Sequence, residues 1–564
     1  MSIAERLKQR FDFIYKGNYP AALVEELESQ INKTKSAIRV NSVKWSEEDV
    51  VLITYGDSIL SKHSNPLSAL KKILEQYLGE TVSYIHILPF FPYSSDDGFS
   101  VIDYLSVNPD LGEWSDIEAL RTDYKLMFDL VINHISQHSD WFAHYKAAKA
   151  PYKDFFIEVD PESDLSEVVR PRSLPLLTKV DTINGTRHVW TTFSDDQIDL
   201  NFAEPKLMAE MIKVFLFYLE KGASMIRLDA IAFLWKVIGT NCLHLPETHE
   251  FVKLLRDITD YISPGLILLT ETNVPNKENL SYFGDNDEAN MVYQFSLPPL
   301  LLHCLYTGNS EFLTQWASSV PNLSEDCTFF NFTASHDGVG VRPLEGLVPN
   351  DEVFNLVEGM KLFGGKVNTR RNSDGSDSPY ELNITYFDAL MGTFEGIDEL
   401  QEARFICSQT IMLTMIGVPA FYIHSFLATQ NYTDGIKLTG MNRTINRRKW
   451  SEDELIPLLD GDTHHNRILN ELIRRINTRK KYKAFHPQSK QEVRNLGKNL
   501  FCIIRGEQEL FALFNISNRE QEINLASELP AKRVKDILSG MPFDTDFGKL
   551  MLAPYQALWF VPDN

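Results

Sequence analysis

Two charged residues sit where charge is expensive. The run from Gly222 to Phe233 reads GASMIRLDAIAF, with Arg227 and Asp229 two residues apart in an otherwise apolar stretch. Residues i and i+2 of a strand point to one face. A charged pair aimed into a core is unfavourable unless it is paired and hydrogen-bonded. The stretch is therefore either a structural ion pair or a strand that ends in a functional pocket. The same kind of ending recurs along the chain. VVLITYGD (50–57) closes on Asp57, KLMFDLVINH (125–134) carries Asp129, Asn133 and His134, LILLTETNV (266–274) carries Glu271, and TFFNFTASHD (328–337) closes on His336 and Asp337. Carboxylates, imidazoles and an arginine are the residue types of general acid–base work. Any one of them alone is more often structural.

The elements that must position them follow from the spacing. Short apolar runs, YIHILPFF (84–91) among them, alternate with helical patterns such as FVKLLRDITDYI (251–262). Continuous apolar strands alternating with helices indicate a parallel sheet covered on both faces. Several polar strand ends in order indicate a (β/α)8 barrel, whose strand ends form the active-site rim. The expected class is α/β: a barrel over 1–480 with an amphipathic N-terminal helix, a loop insertion at 137–201, a second irregular rim insertion at 342–392, and a C-terminal antiparallel β domain over 484–564. The last rests on CIIRGEQELFALFNISN, whose β-branched and aromatic runs are broken by turn signals.

Bulk properties exclude several classes. A chain of 564 residues exceeds the size at which single cores stop growing, about 250–300 residues. No apolar run approaches the roughly 18 residues of a membrane span, and the N-terminus lacks the form of a signal peptide. The five cysteines are scattered and odd in number, which fits a reducing cytoplasm better than a disulfide framework. A net charge of -22 argues against sequence-independent nucleic-acid binding.

Four of the strand ends, DLVINH, IRLDA, LTETN and ASHD, resemble as an ordered set the signature regions of glycoside hydrolase family 13, the α-amylase family. LITYGD, HILPFFPYSSDDGFSVIDY, the RPR at 170–172, HDGVGVRPLEGLVP and INRRKW are similar to the sucrose phosphorylase branch of that family. The likeness covers nearly the whole chain. Within the branch it is greatest to members that phosphorolyse glucosylglycerate, with those acting on glucosylglycerol next and on sucrose third.

The resemblance implies a retaining double displacement. It assigns Asp229 as nucleophile, Glu271 as acid/base and Asp337 as the carboxylate that stabilises the transition state. Arg227, His134, His336, Asp57, Tyr104 and Arg447 would form the glucose subsite, and Arg172, framed by Pro171, would bring a cation to phosphate. Arg227 is expected to keep Asp229 ionised, and burial to raise Glu271 towards its acid role. No cofactor or metal is expected; inorganic phosphate is a co-substrate. The partners are a small α-glucoside and phosphate, with no nucleic acid or membrane, in a monomer or homodimer.

Two departures bear on the acceptor. Sucrose-specific members carry Leu-Asp-x-Tyr-Gln where this chain reads Asp377-Ser378-Pro379-Tyr380-Glu381. Glu381 is expected to accept hydrogen bonds from acceptor hydroxyls, with Arg342, Arg370 or Arg371 offsetting its charge towards a carboxylate. Tyr104 stands where the sucrose enzymes have a histidine. A hydrolase or transglucosidase of the same fold, and a non-catalytic member of it, are the competing readings; the second would be expected to lack the three carboxylates.

Overall fold

A computed structural model describes residues 1–172, 174–371, 376–525, 529, 532–545 and 548–563. Eight parallel strands close a barrel: β1 (Val51–Thr54), β2 (Tyr84–Ile87), β3 (Lys125–Val131), β4 (Ala223–Asp229), β5 (Ile267–Thr270), β6 (Met291–Tyr293), β7 (Thr328–Phe332) and β8 (Val418–Tyr422). Each pairs in parallel with its neighbours in chain order, and β8 returns to β1. These strands read as continuous apolar runs because helices cover their outer faces and side chains fill the interior.

The helices carry their own signals. In Pro66–Tyr77, Asn65 caps the N-terminus by accepting from the Ser68 N–H, Pro66 opens the first turn, and Leu67, Leu70, Ile73 and Leu74 form the buried stripe. The N-terminus forms two helices rather than one, Ile3–Tyr15 and Ala21–Ala37, and the first opens on a capping box between Ser2 and Glu5. Arg6 and Arg10 reach Asp257 and Glu250 on the barrel helix Pro246–Ile262.

Both rim insertions are more regular than their composition suggests. The first holds a helix, Asp140–Lys146, and an antiparallel hairpin of Leu177–Thr182 with Gly185–Trp190. The second, expected to be irregular, holds a helix, Asn350–Leu362, and a hairpin of Lys366–Arg371 with Asp377–Asn383. The apolar Leu382 and Ile384 are buried at the base of the hairpin. After the helix His464–Arg479 a six-stranded antiparallel sheet runs from Gln491 to Pro562. One of its faces, with Phe501, Ile503, Ala512, Phe514 and Trp559, joins the barrel's core. The other buries Leu500, Ile504, Leu513 and Phe560 in a small core of its own.

Candidate active site

Strand register explains the buried charge. Arg227 on β4 lies level with Asp129 on β3 and Leu269 on β5, which brings its side chain beside the Asp129 carboxylate. It makes close ion pairs with Asp129 and, at 2.7 Å, with Asp229. Asp129 also meets His86 of β2 at 2.6 Å. Glu271, just past β5, comes within 3.8 Å of the same guanidinium. A relay of His86, Asp129, Arg227 and Asp229 thus crosses three strands, and Glu271 on the next strand completes it. The pair is structural with only its Asp229 end in the pocket: Arg227, expected as a glucose contact, does not line the cavity and is held by Asp129 and Asp229 behind it.

Local backbone aims the two carboxyls. Ala230 is left-handed (φ 49°), which turns its N–H onto Glu271 Oε2 at 3.1 Å. A non-glycine residue there is strained and persists only where its surroundings hold it. Elsewhere on the same rim, Asp96 and Asp97 are both left-handed in the turn SSDDGF, and Gly98 follows (φ 110°). A Cβ at 98 would lie 2.5 Å from the Pro89 carbonyl oxygen, so only glycine lets the turn fold back over β2.

Asp229, Glu271, Asp337, His134, His336, Arg172 and Glu381 line one cavity of about 90 Å³, together with Asp96, Phe99, Gln197, Asn273, Arg342, Tyr380 and Arg443. That is room for several waters.

The electrostatics divide the carboxyls into roles. Burial pushes Asp229 up to about 8, with Arg227 opposing and Glu271 adding to the rise. Glu271 is raised as well, first by burial and then by Asp337, against Arg227. The two titrate as a unit that keeps one proton at neutral pH. That proton belongs on Glu271, because Arg227 is bonded to Asp229 and the ionised Asp337 faces Glu271. Arg227 therefore decides which carboxyl is charged, whereas burial sets where the pair titrates. Asp337 goes the other way: against burial, Arg443, His336 and Arg447 hold it well below the usual carboxylate range. Arg443 touches it at 2.8 Å. His336 is pushed down to about 3 by burial and stays neutral; it stacks on Phe99 at 4.7 Å and its Nδ1 is buried without a partner.

The family-model comparison matches residues 72–333 to the α-amylase catalytic domain. The chain is 44% identical to the glucosylglycerate phosphorylase of Escherichia coli K12, over 98% of this chain and 99% of that one. It is 40% identical to the glucosylglycerate phosphorylase of Allomeiothermus silvanus, over 99% of each. The chain belongs to the α-amylase family, in its sucrose phosphorylase branch. A crystal structure of sucrose 6F-phosphate phosphorylase from Thermoanaerobacter thermosaccharolyticum superposes with a TM-score of 0.73 at 25% identity, covering 83% of this chain and 94% of that one.

Against this family background, four further expected sugar contacts are placed differently. Asp57 does not reach the catalytic cavity: it pairs with Lys449 at 2.5 Å and lines a neighbouring cavity of about 250 Å³. Arg447 stands in the wall between the two, bonded to Asp97 at 2.7 Å and to the His336 carbonyl at 2.8 Å. Its remaining NH2 is buried with no hydrogen-bond partner among the described residues and makes a long ion pair with Asp337 at 3.7 Å. Tyr104 sits behind the site, its hydroxyl spent on the Val131 and His134 carbonyls at 2.9 and 3.1 Å. His134 lines the cavity, yet its ring nitrogens already meet the Phe99 carbonyl, Gln197 and Asn133.

Glu381 is not a free acceptor. It is 1% exposed, and both its oxygens are held by Arg443, at 3.1 and 2.7 Å. The arginine that offsets Glu381 is thus Arg443, which the sequence reading missed. Arg370 turns outward to Glu345 at 2.7 Å, Arg342 faces the cavity, and the side chain of Arg371 lies outside the described residues. Asp96 was also missed. It takes Arg172 at 3.0 Å, with Arg443 and Arg447 each at 3.9 Å. The paired aspartates before a glycine in SSDDGF were the available signal. Phe90 and Phe91 are core residues, as a cluster of aromatics is by default.

Proposed function

We propose that this chain is a retaining phosphorylase that moves the glucosyl unit of 2-O-α-glucosylglycerate onto inorganic phosphate, giving α-D-glucose 1-phosphate and glycerate. The observation that carries the reaction class is the Asp229–Glu271 pair, two carboxyls around one guanidinium that burial pushes up together. The full-length likeness to glucosylglycerate phosphorylases supports the substrate.

In the first step Asp229 attacks the anomeric carbon while the glycosidic C–O bond breaks. Glu271 gives its proton to the departing glycerate oxygen. Asp337, kept ionised by Arg443 and Arg447, holds sugar hydroxyls and favours the positive charge that develops on the ring. The unpartnered His336 Nδ1 and Arg447 NH2 are the groups that a glucosyl ring would satisfy. In the second step a phosphate oxygen attacks the same carbon, the bond to Asp229 breaks, and Glu271 takes the proton from the attacking phosphate. Arg172, over the face of Phe193 and tied to Asp96, supplies the phosphate with a planar cationic fork. The reading calls for no cofactor, and five buried, scattered cysteines, odd in number, support a cytoplasmic setting.

The test is release of α-glucose 1-phosphate from glucosylglycerate, glucosylglycerol and sucrose, each with and without phosphate. Phosphate-dependent release that strongly favours glucosylglycerate is the expected result. Free glucose from all three, indifferent to phosphate, would make the enzyme a hydrolase.

A further inference from the structure

Every arginine at the catalytic centre except one is committed to a carboxylate. Arg227 holds Asp129 and Asp229, Arg172 holds Asp96, Arg443 holds Glu381 and Asp337, and Arg447 holds Asp97. Arg342 lines the same cavity, and among the described residues its side chain has no ion pair or hydrogen bond; its Nε is buried with no partner at all. Beside it in the lining, Asn273 has a buried Oδ1 that is also unpartnered.

The backbone on both sides of Arg342 is fixed. Val341 N–H donates to the Tyr380 carbonyl at 3.1 Å, and the Arg342 carbonyl accepts from Glu345 N–H at 3.0 Å in the short turn Arg342–Leu344. Pro343 closes that turn, and Ser296 donates to its carbonyl at 3.3 Å. Two residues earlier, Gly340 lets Asn273 come against the chain: a Cβ there would lie 2.9 Å from both amide atoms. A cation held this way gives up little freedom when it takes a ligand.

Position says which ligand. Glu271 protonates the departing oxygen, so the departing group lies on the Glu271 side of the sugar. Asn273 is two residues beyond Glu271, and Tyr380, Glu381 and Arg342 continue that wall. In 2-O-glucosylglycerate the carbon bearing the bridging oxygen also bears the carboxylate. We infer that Arg342, with Asn273 beside it, is the carboxylate clamp of the acceptor subsite, and that it selects 2-hydroxy carboxylates over neutral polyols. This rests on the phosphorylase reading above and goes further by naming the acceptor class and the residue that chooses it.

The clamp also meets a need of the site. A carboxylate acceptor enters a cavity already lined by Asp96, Asp229, Glu271, Asp337 and Glu381. An unpaired buried anion there is strongly disfavoured. Glycerol needs no such cation, so an uncommitted arginine is informative about what the wall was built to hold.

The experiment runs the reaction in the synthetic direction from α-glucose 1-phosphate, with D-glycerate, glycolate and glycerol as acceptors, for the wild type, R342K and R342Q. Alongside it, exchange of labelled inorganic phosphate into α-glucose 1-phosphate is followed, a reaction that needs no acceptor. The wild type is expected to use glycolate as well as glycerate. In R342Q the glycerate-to-glycerol ratio of kcat/KM is expected to fall by about 10–100-fold, the usual worth of a hydrogen bond to a charged group, with R342K between. The glycerate reaction is expected to lose more than the phosphate exchange does. An unchanged ratio, or an exchange that falls as far as the glycerate reaction, overturns the clamp, the latter by making Arg342 a phosphate ligand. If R342Q does not fold, N273A is read by the same ratio, with the same two outcomes. A wild type that shows no phosphate exchange overturns the phosphorylase reading itself, which is a separate result.

Discussion

Arg227 makes the difference between two carboxyls that burial would otherwise treat alike. It is 2% exposed and joins Asp129, Asp229 and Glu271. Asp129 is held down at about 2, against burial, by Arg227 and His86, so it stays a fixed negative charge behind the pair. Replacing the proposed nucleophile, Asp229→Asn, is expected to lower kcat by on the order of 10⁴-fold or more with the circular dichroism unchanged. Turnover near the wild-type rate would remove Asp229 from its role. Burial holds the pair's proton well above the ordinary carboxyl range. A pH profile of kcat/KM is therefore expected to stay high through neutral pH and to fall on the alkaline side, as Glu271 loses the proton that the leaving oxygen needs. The same shift acts on stability. A free Asp titrates near 4, so between about 4 and 8 the folded state holds more protons than the unfolded one, and stability falls as pH rises through that window. Asp229→Asn removes part of this cost. Its melting temperature relative to the wild type is expected to rise from pH 5 to pH 8; a difference that stays flat would contradict the raised pair.

At the scale of elements, the second insertion's hairpin positions the catalytic wall. Gly338 makes this possible: a Cβ there would lie 2.3 Å from the Leu382 carbonyl oxygen, so the chain just past Asp337 can run flush against the hairpin. Glu381 then reaches Arg443, which shares its charge with Asp337. In Glu381→Gln that charge falls more heavily on Asp337, which holds sugar hydroxyls less readily. The expected result is a kcat about 10-fold lower and a loss of about 1–3 kcal/mol in stability; an unchanged kcat would mean the hairpin only closes the cavity. Much of this level was legible in the sequence and part was not. Six barrel strands stand out as apolar runs, five of them with polar ends. The other two do not, because Met291–Tyr293 is three residues long and Val418–Tyr422 contains Pro419, which counts against a central strand. Asp229, Glu271 and Asp337 stood out as candidates because each closes or follows an apolar run. Asp96, Arg443 and the spent hydroxyl of Tyr104 did not, because their roles depend on which loops meet across the rim, a long-range fact that local pattern does not carry.

The whole molecule ties its C-terminal sheet into the barrel rather than hanging it on a linker. Turn signals and β-branched runs revealed the sheet, but not this dependence, since a strand that is apolar on both faces does not say what covers each face. Arg505 shows the connection. It is fully buried with no carboxylate partner, and burial lowers it to about 9. Its donors go to main-chain carbonyls: Thr414 of the barrel at 2.7 Å and His486 at 2.8 Å. Arg479 makes the matching bonds from the barrel side, to the Glu47, Leu413 and Phe485 carbonyls, and Trp559 donates to Thr414 Oγ1 at 2.9 Å. Arg505→Ala would leave several buried carbonyls without donors, each costing about 1–3 kcal/mol, so a loss of about 2–4 kcal/mol is expected once local repacking recovers some of it. Because the barrel face of the sheet is continuous with the barrel's core, calorimetry should show one cooperative transition moved to lower temperature. Two separated transitions, with only the smaller one moved, would mean that the sheet melts on its own and that the barrel holds its active site without it.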